Sequence, residues 1–122
     1  MLDKPVVLVV EDEPLILLHV QLALEDGGFD VLTARDSDMA RSHLAERPDI
    51  SAVLTDVGIP GPVNGLALAK EVTNSRPGVP VFVTSGAGEE TDMALPDSAQ
   101  FVRKPYTAAQ MCALIHRRAG AH

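Results

Sequence analysis

Five polar residues stand where carboxylates, a hydroxyl and a cation could act together: Glu11, Asp12, Asp56, Ser85 and Lys104. Each follows an apolar run, so each falls at the end of an expected strand. In open parallel sheets, ligands bind beyond the carboxyl ends of the strands, where strand order reverses. If the order is 2-1-3-4-5, strands 1 and 3 are neighbours and Glu11, Asp12 and Asp56 share one pocket. Three carboxylates in a low-dielectric crevice repel one another and need cations near neutral pH. Mg²⁺ suits them, because it prefers octahedral oxygen, keeps several waters, and takes one or two carboxylates plus a substrate phosphate. Lys104 adds a mobile point charge suited to a phosphoryl oxygen, and Ser85 adds a hydroxyl donor. Together these residue types describe phosphoryl transfer, where positioning and charge neutralisation do most of the catalysis.

The elements that must position them are written as alternating patterns. Strands are expected at 5–10 (PVVLVV), 30–34 (DVLTA), 51–55 (SAVLT), 79–84 (VPVFVT) and 99–103 (AQFVR). Three of these are almost continuously apolar and rich in valine, as strands buried on both faces are. Helical segments lie between them. Pro14 opens the first, Leu15, Leu18 and Leu22 recur along it as its apolar face, and Gly27 stops it. Ser37 and Asp38 cap the second, which carries Ala40 and Leu44 and ends before Pro48. Asn64 precedes the third, with Leu66, Ala69 and Val72, and Thr107 precedes the last, with Met111 and Ile115. The fourth is poorly written: Gly86, Gly88 and Pro96 leave room for about two turns around residues 89–95. Alternation of this kind predicts an α/β sandwich with a parallel sheet and right-handed crossovers, its fourth helix short or irregular. In the order 2-1-3-4-5 this is a flavodoxin-like (βα)5 three-layer sandwich.

With 122 residues the chain reads as one domain, 1–122, with nothing left after the last helix for an effector. A net charge of −7 argues against nucleic acid as a direct partner, since phosphate contacts need clustered Lys and Arg. Cys112 is the only cysteine, which fits a reducing, cytoplasmic setting and excludes a disulfide framework. The run Val6–Val10 is too short for a signal peptide core, and no stretch could span a bilayer. His19, His43 and His116 show no metal-ligand spacing with a cysteine or acid and read as solvated.

The strings VVLVVEDEP, LTDVGIPG, VTSG and FVRKPY, in that order over residues 5 to about 118, resemble the receiver domain of two-component response regulators. Each string alone is common, but four at successive strand ends are specific. The resemblance implies that Asp56 is the phosphoacceptor, attacking a phosphohistidine as a carboxylate nucleophile. It implies that Asp12 binds Mg²⁺ directly, that Glu11 holds metal-bound water, and that the Gly58 carbonyl is a further ligand. Ser85 matches the hydroxyl residue that bonds the phosphoryl group, Lys104 the lysine that pairs with its oxygens, and Phe101 the aromatic switch position. Lys104–Pro105 matches a cis peptide. Two departures touch the outer surface: Gly61–Gly65 is one residue longer than usual, and Ser85 to Lys104 is a few residues shorter.

The function implied is a phosphorylation-dependent signalling switch. A histidine kinase or histidine phosphotransfer protein supplies the phosphoryl group. A downstream protein reads the surface of the fourth helix, strand 5 and the fifth helix. The chain would catalyse only its own phosphorylation and dephosphorylation, not act as an enzyme on other substrates. A Mg²⁺-dependent aspartyl-phosphate phosphohydrolase is the enzymatic alternative, but Glu11 and Glu13 flank Asp12, so its DxDxT motif is missing, as is a cap insertion. A pseudo-receiver that never carries phosphate conflicts with intact Asp12, Asp56, Ser85 and Lys104. Taken singly, Asp56 reads equally well as a turn-capping aspartate and Phe101 as an ordinary core residue.

Overall fold

Strand β1 (Val6–Val10) is buried at every position and sends alternate side chains to opposite faces, as the two-residue period of a strand requires. Val6, Leu8 and Val10 enter one core, and Val7 and Val9 enter the other. Around β1 lie α1 (Pro14–Asp26), β2 (Asp30–Ala34), α2 (Ser37–Glu46), β3 (Ile50–Asp56), α3 (Gly65–Ser75), β4 (Val81–Ser85), β5 (Ala99–Arg103) and α4 (Ala108–Ala119). The computed structural model describes residues 4–86, 95 and 98–119. The expected fourth helix, around residues 89–95, lies outside them except for Leu95, so α4 is the fifth helical segment foreseen from the sequence.

The five strands form one parallel sheet in the order β2-β1-β3-β4-β5, as the sequence predicts. Helices α2 and α3 cover one face, where Ala40, Leu66, Leu68, Ala69 and Val72 meet β1, β3 and β4. Helices α1 and α4 cover the other, where Leu17, Leu24, Met111 and Ile115 meet Phe29, Leu54 and Phe82. Each large side chain so enclosed contributes about 1.5–3 kcal/mol relative to exposure. Strand β3 carries an irregularity opposite Val6/Val7, where its register to β1 skips Ser51. That skip lets Ile50 and Val53 face one core while Ala52 and Leu54 face the other.

Two strand boundaries matter for chemistry. Asp56 and Ser85 are the last residues of β3 and β4 rather than the first after them. Backbone pairing therefore holds both in place.

The apolar face expected for α1 is overturned. Leu15, Leu18 and Leu22 are 76%, 49% and 56% exposed, whereas Leu17 and Leu24 are buried, with Val20 packed beside them. The triplet 17, 20, 24 has the same i, i+3, i+7 spacing as 15, 18, 22 but is displaced by two residues. At 3.6 residues per turn, two residues rotate the helix by about 200°, onto its opposite face. Because α1 is apolar nearly all round, spacing could not choose between the faces. The start of α2 is also corrected. Its cap is Asp36, whose Oδ1 accepts the Met39 N–H at 2.8 Å, and Ser37 is already helical. Asn64 caps α3 as expected, accepting the Ala67 N–H at 2.9 Å. A reciprocal pair opens α4: Thr107 Oγ1 accepts the Gln110 N–H at 3.0 Å, and Gln110 Oε1 accepts the Thr107 N–H at 2.8 Å.

Two histidines are not simply solvated. The His43 ring bonds the Thr33 carbonyl oxygen at 2.9 Å. The His116 ring bonds the Gly27 carbonyl oxygen at 2.9 Å and stacks on Phe29, with ring centroids 4.2 Å apart. Both tie helices to neighbouring elements.

Candidate functional site

The carboxyl ends of β1, β3, β4 and β5 converge on one pocket. Glu11 continues β1 by donating its N–H to the Ala34 carbonyl at 2.9 Å. Its side chain folds back so that Oε2 accepts the Glu13 N–H at 3.0 Å, and the residue is 7% exposed. Burial pushes the Glu11 carboxyl above the usual carboxylate range. The Glu13 N–H and the Lys104 charge oppose that rise, while Asp56 and Asp12 add to it. Asp12 and Asp56 thus both act on the Glu11 carboxyl.

Asp56 is held from both sides. Beyond it, the Val57 N–H donates to the Thr84 carbonyl at 3.1 Å, and the Gly65 N–H donates to the Val57 carbonyl at 2.9 Å. Gly65 lies so close that a Cβ there would overlap the Asp56 carbonyl oxygen, so only glycine lets α3 start this near the carboxylate. Asp56 Oδ1 accepts the Gly58 N–H at 3.3 Å, and Oδ2 accepts from Lys104 Nζ at 2.8 Å. The ion pair is largely enclosed, with side-chain exposures of 14% for Asp56 and 33% for Lys104.

Lys104 reaches this position because its N–H donates to the Ser85 carbonyl at 2.8 Å, which extends the β4–β5 pairing by one residue. Burial alone would lower its ammonium, but Asp56, Glu11 and Tyr106 outweigh that and hold it above the ordinary lysine value. Lys104–Pro105 is cis, as the resemblance implies. Ser85 is buried at the tip of β4. Phe101 is apart from these groups. It lies mid-strand in β5 opposite Val83 and packs on the core between the sheet and α3.

The donor set at the pocket is all hard oxygen, and its excess negative charge is answered by Lys104. Among the described residues, no three Asp, Glu, His or Cys side chains close into a ready-made metal cage. Mg²⁺ does not need one, since it binds through one or two carboxylates and keeps water and phosphate for the rest. The residues present fit it.

Two features around the pocket were not legible in the sequence. A cavity of about 280 Å³ runs between α1 and the start of α4, lined by Ile16, Val20 and Leu24 with Lys104, Tyr106 and Met111. Burial pushes the Tyr106 phenol up. Its place directly after Lys104–Pro105 was the one available signal. On the other side, Asp12, Arg35, Asp36, Met39 and Pro60 line a depression of about 410 Å³. Arg35 and Pro60 are 25 positions apart, and no local pattern joins them.

A family model for the response regulator receiver domain matches residues 7–116. The nitrogen assimilation regulatory protein NtrX of Azorhizobium caulinodans is 34% identical over 116 residues, 91% of this chain and 25% of that protein. The transcriptional regulatory protein CseB of Streptomyces coelicolor is 36% identical over 119 residues, 94% of this chain and 49% of that protein. The chain therefore spans a quarter to about half the length of these relatives. The crystal structure of a response regulator receiver protein from Sinorhizobium medicae superimposes with a TM-score of 0.85 at 25% identity, covering 99% of this chain and 98% of that one.

Proposed function

The chain belongs to the response regulator receiver family and so serves phosphorylation-dependent signalling; from that premise we propose that Asp56 is the residue phosphorylated, with Mg²⁺. The observation that carries this reading is the Lys104 Nζ–Asp56 Oδ2 contact of 2.8 Å, made beside the buried Glu11. An Asp56 carboxylate oxygen attacks the phosphorus of a phosphohistidine. A P–O bond forms and the P–N bond breaks, and the imidazole nitrogen keeps the electron pair and takes up a proton. Lys104 turns from Asp56 to an oxygen of the transferred group, where its point charge is worth most. The Ser85 hydroxyl donates to a second oxygen.

Asp12, Asp56 and the Gly58 carbonyl would hold Mg²⁺, with Glu11 reaching it through water. The ion supplies neutralisation of the charge shared by the donor's phosphoryl oxygens and the carboxylates. The chain acts on no external substrate. Its catalysis is confined to gaining and losing its own phosphoryl group.

The donor is a histidine kinase or histidine phosphotransfer protein. The exposed Leu15, Ile16, Leu18 and Leu22 on α1, with Ile16 lining the cavity that Lys104 also lines, support a helical donor arriving at this helix. The signal leaves toward a downstream protein through Phe101, β5, α4 and the chain between β4 and β5. The net charge of −7 disfavours nucleic acid as a direct partner. No helix among the described residues is long and apolar enough to cross a membrane, and a cytoplasmic location fits the donor.

Intact-mass spectrometry after incubation with acetyl phosphate and Mg²⁺ tests the assignment. One phosphoryl group should be added, EDTA should prevent it, and Asp56→Asn should abolish it. Undiminished single-site modification of the Asn variant would sink the assignment.

A further inference from the structure

The loop from Val57 to Asn64 carries Gly58 past the carboxylate of Asp56 and on into α3. Its beginning is tied by the Val57 and Gly65 main-chain bonds described above. Further along, Ile59 is buried and Val63 packs on the core. Those apolar contacts set how deep the loop sits but not which way it points, because they are non-directional. Direction comes from hydrogen bonds. Among the described residues, both backbone hydrogen bonds that leave residues 59–63 for another element end on Ser37. The Ser37 N–H donates to the Pro60 carbonyl at 3.0 Å, and the Val63 N–H donates to Ser37 Oγ at 3.4 Å. Between those two bonds, Gly61 adopts φ +113° and lies against Ser37, where a Cβ would overlap Oγ. The loop is thereby folded onto one residue, through its main-chain N–H at Pro60 and its hydroxyl at Val63.

Ser37 itself is rigidly placed. It is fully buried in the first turn of α2. Asp36 caps that turn, and the Arg41–Glu71 pair joins α2 to α3 through two hydrogen bonds of 3.0 and 2.5 Å. A hydroxyl in such a place needs a partner, and the loop supplies it. Asp12, Asp36 and Pro60 line the same depression, so the metal-binding side of the pocket and the Ser37 anchor share a rim.

We propose that Ser37 is a positioning residue for the acceptor site: it aims the 57–63 loop and so fixes where the Gly58 carbonyl stands relative to Asp12 and Asp56. The inference rests on the Mg²⁺-dependent reading above. Ser37 touches neither Asp56 nor Asp12 and acts through the loop alone.

Calorimetric titration of Mg²⁺ into the wild-type chain, Ser37→Ala and Ile50→Val, with amide hydrogen exchange at Val63 of the wild type, tests it. Ile50 is buried at the opposite end of β3, so its variant loses stability without disturbing the loop. Ser37→Ala should bind Mg²⁺ roughly 10-fold more weakly, the effect expected when a group that orients a metal ligand is lost. Ile50→Val should bind as the wild type does, and the Val63 amide should be protected. Unchanged affinity in Ser37→Ala, or an equal loss in Ile50→Val, would overturn the role. An unprotected Val63 amide would overturn it even if Ser37→Ala failed to fold. A wild-type chain that binds no Mg²⁺ would remove the broader reading as well, so the two failures are distinguishable.

Discussion

Helices α1 and α3 each follow a strand that delivers a carboxylate, Asp12 before α1 and Asp56 before α3, yet they use their apolar residues in opposite ways. Helix α3 buries Leu66, Leu68, Ala69 and Val72 and turns Lys70 and Asn74 outward. Helix α1 buries Leu17 and Leu24 but leaves Leu15, Ile16, Leu18 and Leu22 in water. Exposed leucines contribute little to folding, so this face of α1 is better explained by what it meets than by what it stabilises. The caps differ in the same sense. Asn64, a favoured capping residue, holds α3, whereas α1 begins on Glu13, which is not one. The helix behind Asp56 is built for rigidity, and the helix beside Lys104 presents a surface.

Substitutions should separate the two roles. The largest effect is expected from Leu68→Ala in α3, which should lower unfolding free energy by about 2–5 kcal/mol in urea denaturation. Leu18→Ala and Leu22→Ala in α1 should each stay within about 0.5 kcal/mol of wild type in the same measurement. A large loss from Leu18→Ala would break the comparison.

Next in size, Leu18→Ala with Leu22→Ala should slow phosphotransfer from the cognate kinase or phosphotransfer protein by roughly 10-fold, as loss of a central interface side chain does. Phosphorylation by acetyl phosphate should be unchanged. Equal slowing with both donors would show that α1 serves the pocket and not the partner.

Removing caps should sharpen the contrast further. Asn64→Ala should destabilise by about 1 kcal/mol, and Glu13→Ala by less, read from urea midpoints at constant slope.

The shallowest effect is a slope in pH. The Arg41 guanidinium, hydrogen-bonded to Glu71, holds that carboxyl below its ordinary value. A carboxyl depressed in the folded state binds fewer protons there than when unfolded. Its stabilisation is therefore present above the unfolded value near 4.5 and disappears as pH falls through the folded one. Glu71→Gln should flatten this part of the acid-unfolding profile. An unchanged profile would mean that the α2–α3 pair contributes nothing in solution, a common fate of exposed ion pairs.

The parallel sheet was legible from residue types because valine-rich runs buried on both faces leave few topologies open, and short connections leave fewer, while its strand order came with the resemblance carried by the strings at the strand ends. The polar residues at strand ends were legible for the same reason. Asp12, Asp56 and Lys104 have no other place to go once the strands are parallel and β1, β3, β4 and β5 are neighbours. What sequence alone could not decide were choices between equivalent local patterns. The apolar face of α1 is one: residues 15, 18, 22 and 17, 20, 24 satisfy the same helical period, and only docking on Phe29 and the α4 side chains selects the second. The bonds of His43 and His116 to distant carbonyls are another, since helical position says nothing of what a side chain meets. Ser37 is the clearest. Its neighbours in sequence mark it as part of a helix start, while its partners Pro60 and Val63 lie more than 20 residues away. Periodicity and propensity are local, and a buried hydroxyl acquires its role only from the long-range packing that removes its water.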